Sequence, residues 1–208
     1  MSILIIAATA NEIASNNASI EDNEILITGV GAPIAMYQIT KKLVQKKYDM
    51  VVQIGIGGSF NRSLNLGDAV VIEKDCFADL GVWERSQMSN LFDLQLAQKN
   101  CFPFNEGWLI NTHVQSIPIA LNLQSAITVN LINEDPVYHQ HLKEKYNAGL
   151  ESMEGAALHY ACLLEEIPFI QIRGISNWVG ERDKSKWKIK EAIQSSNDLL
   201  EKILNTIQ

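Results

Sequence analysis

Six short runs rich in isoleucine and valine, separated by helix-patterned segments, constrain the fold of this chain more than any other feature. They are SILIIAA (2–8), EILITGV (24–30), MVVQIGI (50–56), DAVVIEK (68–74), AITVNLI (126–132) and PFIQIRG (168–174). Several are apolar at consecutive rather than alternate positions, the pattern of strands covered on both faces. Helical candidates lie between them at 33–47 and 136–146, each opening on a proline suited to a first turn, and at 154–166 and 185–206. The last places Ile189, Ala192, Ile193, Leu199, Leu200, Ile203 and Leu204 on one face of a 3.6-residue period. This order predicts one layered α/β domain over 1–208, with helices covering a central sheet. At 208 residues, 47% hydrophobic and 20% charged, the chain has enough apolar surface for one substantial core.

Charge and cysteine usage narrow the function. A net charge of −7 gives no positive footprint for a polyanion, so nucleic acid is not an expected partner, although a single nucleoside is compatible. Cys76, Cys101 and Cys162 are far apart and odd in number, which suits a reducing cytoplasm rather than a disulfide framework. The apolar opening is too short for a membrane span and reads as a buried first strand. Residues 82–125 are the least regular part and read as a long insertion over the sheet, a kind of segment that often carries specificity. The histidines give no metal pattern: His139 and His141 are two apart in a helical segment, and His113 and His159 lack partners at ligand spacing. His159 reads as an interior or interface residue.

Three segments carry candidate chemistry. In QIGIGGSF (53–60) the glycines Gly55, Gly57 and Gly58 follow a buried strand, where they can admit a ligand close to backbone NH groups or form a plain tight turn. The spacing fits neither a P-loop nor a dinucleotide fingerprint. In ATANEI, Glu12 stands just past the first strand, as a loop acid or a functional one. In SMEGAA, Glu154 opens an apolar helix among small residues, and Arg173 closes the strand that leads into RGISN.

Together these segments resemble the nucleoside phosphorylase and nucleosidase superfamily, over nearly the whole chain. SMEGAA matches its ribose-binding helix start, GIGG its glycine turn and RGISN the strand end that reads the base. RGISNWVGERDKSKW, with GDAVVIEKDCFADLG, looks most like the futalosine-cleaving branch of menaquinone biosynthesis. The resemblance implies a three-layer fold with a mixed β-sheet, no dissociable cofactor, no metal, and a homodimer or larger assembly. It implies that Glu154 holds the 2′ and 3′ hydroxyls of a ribose packed on Met153, that Gly57 and Gly58 line the site, and that Glu12 activates water near Arg173. The first 40 residues hold no Arg or Lys, which favours hydrolysis over phosphorolysis.

Where adenine-releasing members carry an aspartate, this chain has Asn177. An amide cannot donate a proton as an acid, but it offers NH2 to a carbonyl O6 and its oxygen to a protonated N7, which fits a 6-oxopurine such as hypoxanthine. Ser176 either orients that amide or satisfies backbone, and Asp183 either serves as an acid or caps the next helix. Trp178 and Trp187 read as packing residues before stacking ones. The expected activity is hydrolysis of futalosine to hypoxanthine. The alternatives are another purine nucleosidase, a phosphate-dependent phosphorylase and a non-catalytic nucleoside-binding protein.

Overall fold

A computed structural model describes residues 1–13, 20 and 23–207. Eleven strands are described, in chain order β1 (Ile3–Ala7), β2 (Glu24–Ile27), β3 (Met50–Gln53), β4 (Ile56–Ser59), β5 (Ala69–Asp75), β6 (Gly81–Glu84), β7 (Gln87–Asn90), β8 (Leu109–Ile110), β9 (Leu123–Thr128), β10 (Leu150–Ser152) and β11 (Phe169–Trp178). Four longer helices are α1 (Ala32–Gln45), α2 (Pro136–Tyr146), α3 (Gly155–Leu164) and α4 (Ile189–Ile207). Nine strands form one mixed sheet in the order β2-β1-β3-β11-β4-β10-β9-β5-β8.

The consecutive apolar runs are explained by burial on both faces. Ile3, Ile5 and Ala7 of β1 meet Leu200, Ile203 and Leu204 of α4, whereas Leu4 and Ile6 meet α1 and α3 on the other side. Each fully buried leucine or isoleucine in these layers contributes roughly 1.5–3 kcal/mol. Helix α4 also carries Asn197 on its buried face, and the Asn197 Nδ2 donates to the backbone carbonyl of Glu12 at 2.9 Å. Packing the last helix therefore fixes the loop after the first strand.

Strand β11 organises the second half of the sheet. Its first residues pair with β3 and β5 and its later ones with β4, so β11, β4, β10, β9 and β5 close into a small barrel. Val70, Ile72, Ala126, Leu150 and Ile175 form a compact apolar cluster from four of those strands. Against the sequence reading, Arg173 does not close this strand: β11 runs on to Trp178, held by pairing with β4. Likewise Gly57 and Gly58 are not in a turn but in β4, where ladder bonds to two neighbours override the low strand preference of glycine.

Two other expectations change. The run 126–132 leaves the sheet after Thr128, because the Asp79 carboxylate accepts hydrogen bonds from the amides of Asn130 and Leu131 and turns the chain outward. Residues 82–125 do not lie over the sheet as one insertion. Strand β8 and the start of β9 join its edge, and the β6–β7 hairpin packs on α2 with Trp83 edge-on to Tyr138 at 5.0 Å. Among the described residues no helix is long and apolar enough to cross a membrane, and no group of three or more His, Cys, Asp or Glu could hold a metal.

Candidate active site

A cleft opens where β1, β4, β10 and β11 end. Of the eight residues singled out from sequence, Glu12, Gly57, Gly58, Met153, Glu154, Ser176 and Asn177 line it. Arg173 lies behind the wall, 1% exposed. Lining residues that sequence reading missed include Thr9, Val30, Ile132, Glu151 and Arg182. No residue of 82–125 is among them, so the expected specificity role of that segment has no counterpart in this cleft.

Glu12 ends a single 3₁₀ turn, Ala10–Glu12, whose N-cap is Thr9. One carboxylate oxygen, Oε2, accepts from the Thr9 backbone NH at 2.8 Å and from Thr9 Oγ1 at 3.2 Å. The other, Oε1, faces the amide of Ile56 at 3.4 Å. The acid is thus tethered through one oxygen, with the second directed along the cleft wall.

Glu154 takes the N-cap position of α3, but its side chain does not cap that helix. It reaches across to accept from the Gly31 amide at 2.9 Å, and its other oxygen lies 4.0 Å from Arg173 Nη2. Burial raises its carboxyl above the usual range, opposed by the Arg173 charge and the Gly31 amide. The helix start is anchored beneath: Thr128 Oγ1 accepts from the Ala156 amide at 2.7 Å and donates to Asp75 at 3.0 Å, and Asp75 also accepts from Gln171. Burial lifts Asp75 to about 6. His159 is interior, with Nδ1 against the Leu109 carbonyl at 2.9 Å and its ring edge-on to Phe169.

Arg173 donates from Nη2 to Gln53 Oε1 at 2.8 Å. Its closest carboxylate is that of Glu154, and it also lies near Glu12, the acid the resemblance set it beside. Gly55 makes the room: a Cβ there would stand 2.2 Å from Arg173 Nη1 and 3.0 Å from Glu12 Oε1. Because the guanidinium is buried and bonded, it cannot swing aside freely. Gly55→Ala is expected to lower stability by roughly 1–3 kcal/mol, read as a fall in the denaturant midpoint at unchanged slope.

Asn177 follows a β-bulge. Ile175 pairs with Gly57 and Asn177 with the next residue, Gly58, leaving Ser176 as the extra residue. Bulges re-aim side chains, and this one brings both Ser176 and Asn177 into the cleft. Asn177 Nδ2 donates to the Trp178 carbonyl at 2.9 Å, and Oδ1 accepts from Ser176 Oγ at 2.8 Å. A reversed amide would set two oxygens against each other at Trp178, so the carbonyl fixes which atom faces which way. One N–H and one oxygen lone pair are left for a ligand.

Of the remaining candidates, Trp187 alone reaches the cleft. Asp183 accepts from Ser185 and caps the short turn Lys184–Lys186 instead of facing the cleft. Trp178 is covered by the Arg62 guanidinium at 4.5 Å, while Trp187 borders the cleft and donates from Nε1 to the Glu181 carbonyl at 3.0 Å.

Comparison with known proteins gives the family and the fold. The sequence model described as Phosphorylase superfamily matches residues 23–207. The chain is 30% identical over 173 residues to a futalosine hydrolase of Thermus thermophilus, covering 82% of this chain and 76% of that protein. It is 27% identical over 199 residues to a futalosine hydrolase of Streptomyces coelicolor, covering 89% and 80%. Among solved structures, futalosine hydrolase of Helicobacter pylori superposes with a TM-score of 0.78 at 14% identity, over 98% of this chain and 97% of that one. A methylthioadenosine/S-adenosylhomocysteine nucleosidase of Colwellia psychrerythraea in complex with adenine gives 0.77 at 18%, over 100% and 96%.

Proposed function

The chain belongs to the phosphorylase superfamily, and from that premise we propose that it is a purine nucleosidase that hydrolyses the N-glycosidic bond of futalosine, releasing hypoxanthine in menaquinone biosynthesis. The observation that carries this reading is the locked amide of Asn177. Its free N–H points to O6 and its free lone pair to N7–H of a 6-oxopurine. Adenine presents an amino donor at position 6, against the Asn177 N–H.

The sugar lies on Met153 with its 2′ and 3′ hydroxyls on Glu154, whose oxygens accept without needing to give up protons. Positive charge develops on the sugar as the bond to N9 lengthens, and the Glu154 carboxylate stabilises it. Glu12 takes a proton from water as the water oxygen attacks C1′, with its own position fixed by the two Thr9 donors. As the bond to N9 breaks, its electron pair goes to the base and N7 takes a proton from solvent, and Asn177 Oδ1 accepts a hydrogen bond from the resulting N7–H. An anionic acid at the nucleophile position repels phosphate, which supports water as the acceptor.

In this reading the enzyme is cytoplasmic and a homodimer or larger assembly in which a neighbouring subunit closes the 5′ side. Val30, which lines the cleft, and Ile34 and Tyr37 of the helix that follows it are exposed at 49%, 53% and 64%, which supports such a contact. The test is competition among futalosine, aminodeoxyfutalosine, inosine and methylthioadenosine. Futalosine is expected to prevail in the wild type, and Asn177→Asp is expected to shift the oxo-to-amino preference by about 10- to 100-fold toward adenine release. Preference of the wild type for the adenine compounds would defeat the reading.

A further inference from the structure

One acid in the cleft has no role so far. Glu151 is the middle residue of β10, 8% exposed, and it lines the cleft. Burial and the negative charge of Asp79 lift its carboxyl to about 7, against the opposing pull of Arg182. Among the described residues none donates a hydrogen bond to its carboxylate. A buried acid facing a cleft without a partner is a group that a ligand can satisfy.

The sheet register says which part of a ligand that is. Glu151 pairs with Gly58 of β4, and Gly58 pairs on its other side with Asn177 of β11. The three form one row, with the outer two separated by two strand spacings, roughly 9–10 Å. The middle residue has no side chain, and a Cβ there would come within 3.2 Å of Asn177 Nδ2. A flat ring lying over Gly58 therefore has Asn177 on one edge and Glu151 on another.

Strand direction fixes the ends. Strand β10 runs antiparallel to β4 and β11 runs parallel to it. Going back from Glu154 to Glu151, and forward from Arg173 to Asn177, thus leads toward the same end of the cleft. Glu154 and Arg173, 4.0 Å apart, mark the sugar end. Glu151 and Asn177 mark the base end, where a purine presents the atoms farthest from C1′. With O6 and N7 taken by Asn177, the donor that remains at that end of a 6-oxopurine is N1–H.

We infer that Glu151 is a specificity-determining residue whose carboxylate accepts a hydrogen bond from N1–H of a 6-oxopurine. The inference rests on the purine-nucleosidase reading and adds a second contact to that of Asn177. Adenine has a bare lone pair at N1 and meets the carboxylate with repulsion, and a methyl on N1 removes the donor. The ionised acid is the accepting form. Affinity for hypoxanthine is therefore fullest above about 7 and weakens as pH falls through that value, with Asp79 and Arg182 the charged groups acting on the acid.

Calorimetric titration of hypoxanthine, 1-methylhypoxanthine and adenine into wild type, Glu151→Leu and Glu151→Gln tests this, at about pH 6 and about pH 8. The wild type at the higher pH is expected to favour hypoxanthine over its 1-methyl derivative by about 10-fold or more, with a smaller preference at the lower pH. Glu151→Leu should bind the two within about 3-fold at both. Glu151→Gln keeps an acceptor and should retain part of the preference without its pH dependence. A wild-type preference that ignores pH, or one that survives in Glu151→Leu, overturns the role of Glu151; should the Leu variant not fold, the Gln variant and the wild-type pH series decide. Wild type that binds no purine and releases none from nucleosides overturns the nucleosidase reading with it.

Discussion

Glu12→Gln is expected to slow base release by about 10²- to 10⁴-fold, the range for loss of a positioned general base. The carboxylate receives two donors from Thr9 on one oxygen, so it is oriented before substrate arrives. Glutamine keeps the shape but has no basic oxygen with which to take the water proton. Its amide also sets either NH2 against the Thr9 donors or NH2 toward the attacking water, and neither is productive. KM should change little, because the proposed role of the acid is toward the attacking water rather than the base or diol. Hypoxanthine release measured under saturating futalosine separates the outcomes: a Gln variant within about 3-fold of wild type would remove Glu12 from the chemistry.

Glu154→Gln is the second large effect. A charge-assisted hydrogen bond contributes about 1.5–3 kcal/mol, so loss of the anionic acceptor is expected to cost about 10- to 150-fold in kcat/KM for each sugar hydroxyl it holds. A further penalty comes from Arg173, which would be left buried 4.0 Å from a neutral group. Specificity of the role is tested with a 2′-deoxy substrate: the wild type should lose activity on deletion of the hydroxyl, and the variant should lose much less, because the two changes remove one contact. The acid arm of the kcat/KM profile carries the same signature. Burial raises the Glu154 carboxyl, and acceptance from two hydroxyls requires the charged form, so activity should fall as pH drops through that raised value.

The sequence made the layers legible because their cause is local. Consecutive apolar residues such as Ile3 to Ala7 require cover on both faces, and the period of α4 requires one buried stripe. Glu12, Glu154 and Asn177 were found through ATANEI, SMEGAA and RGISN, short segments whose residues meet only in the fold. What stayed hidden depends on pairing between distant strands. The bulge at Ser176 exists because Ile175 and Asn177 pair with successive residues of β4, and nothing within RGISNW signals that mismatch. Strand β10 is three residues long, so Glu151 carries no periodicity, although an acid three positions before Glu154 was a visible clue. The distance from Arg173 to its acids likewise follows from the Gly55 gap, a contact between strands.

Futalosine incubated with the enzyme in phosphate-free buffer, with both products identified, tests the account at its centre. Free hypoxanthine and a free reducing sugar should appear at a rate that added phosphate leaves unchanged. A sugar 1-phosphate formed only when phosphate is present, or no base release at all, would contradict it.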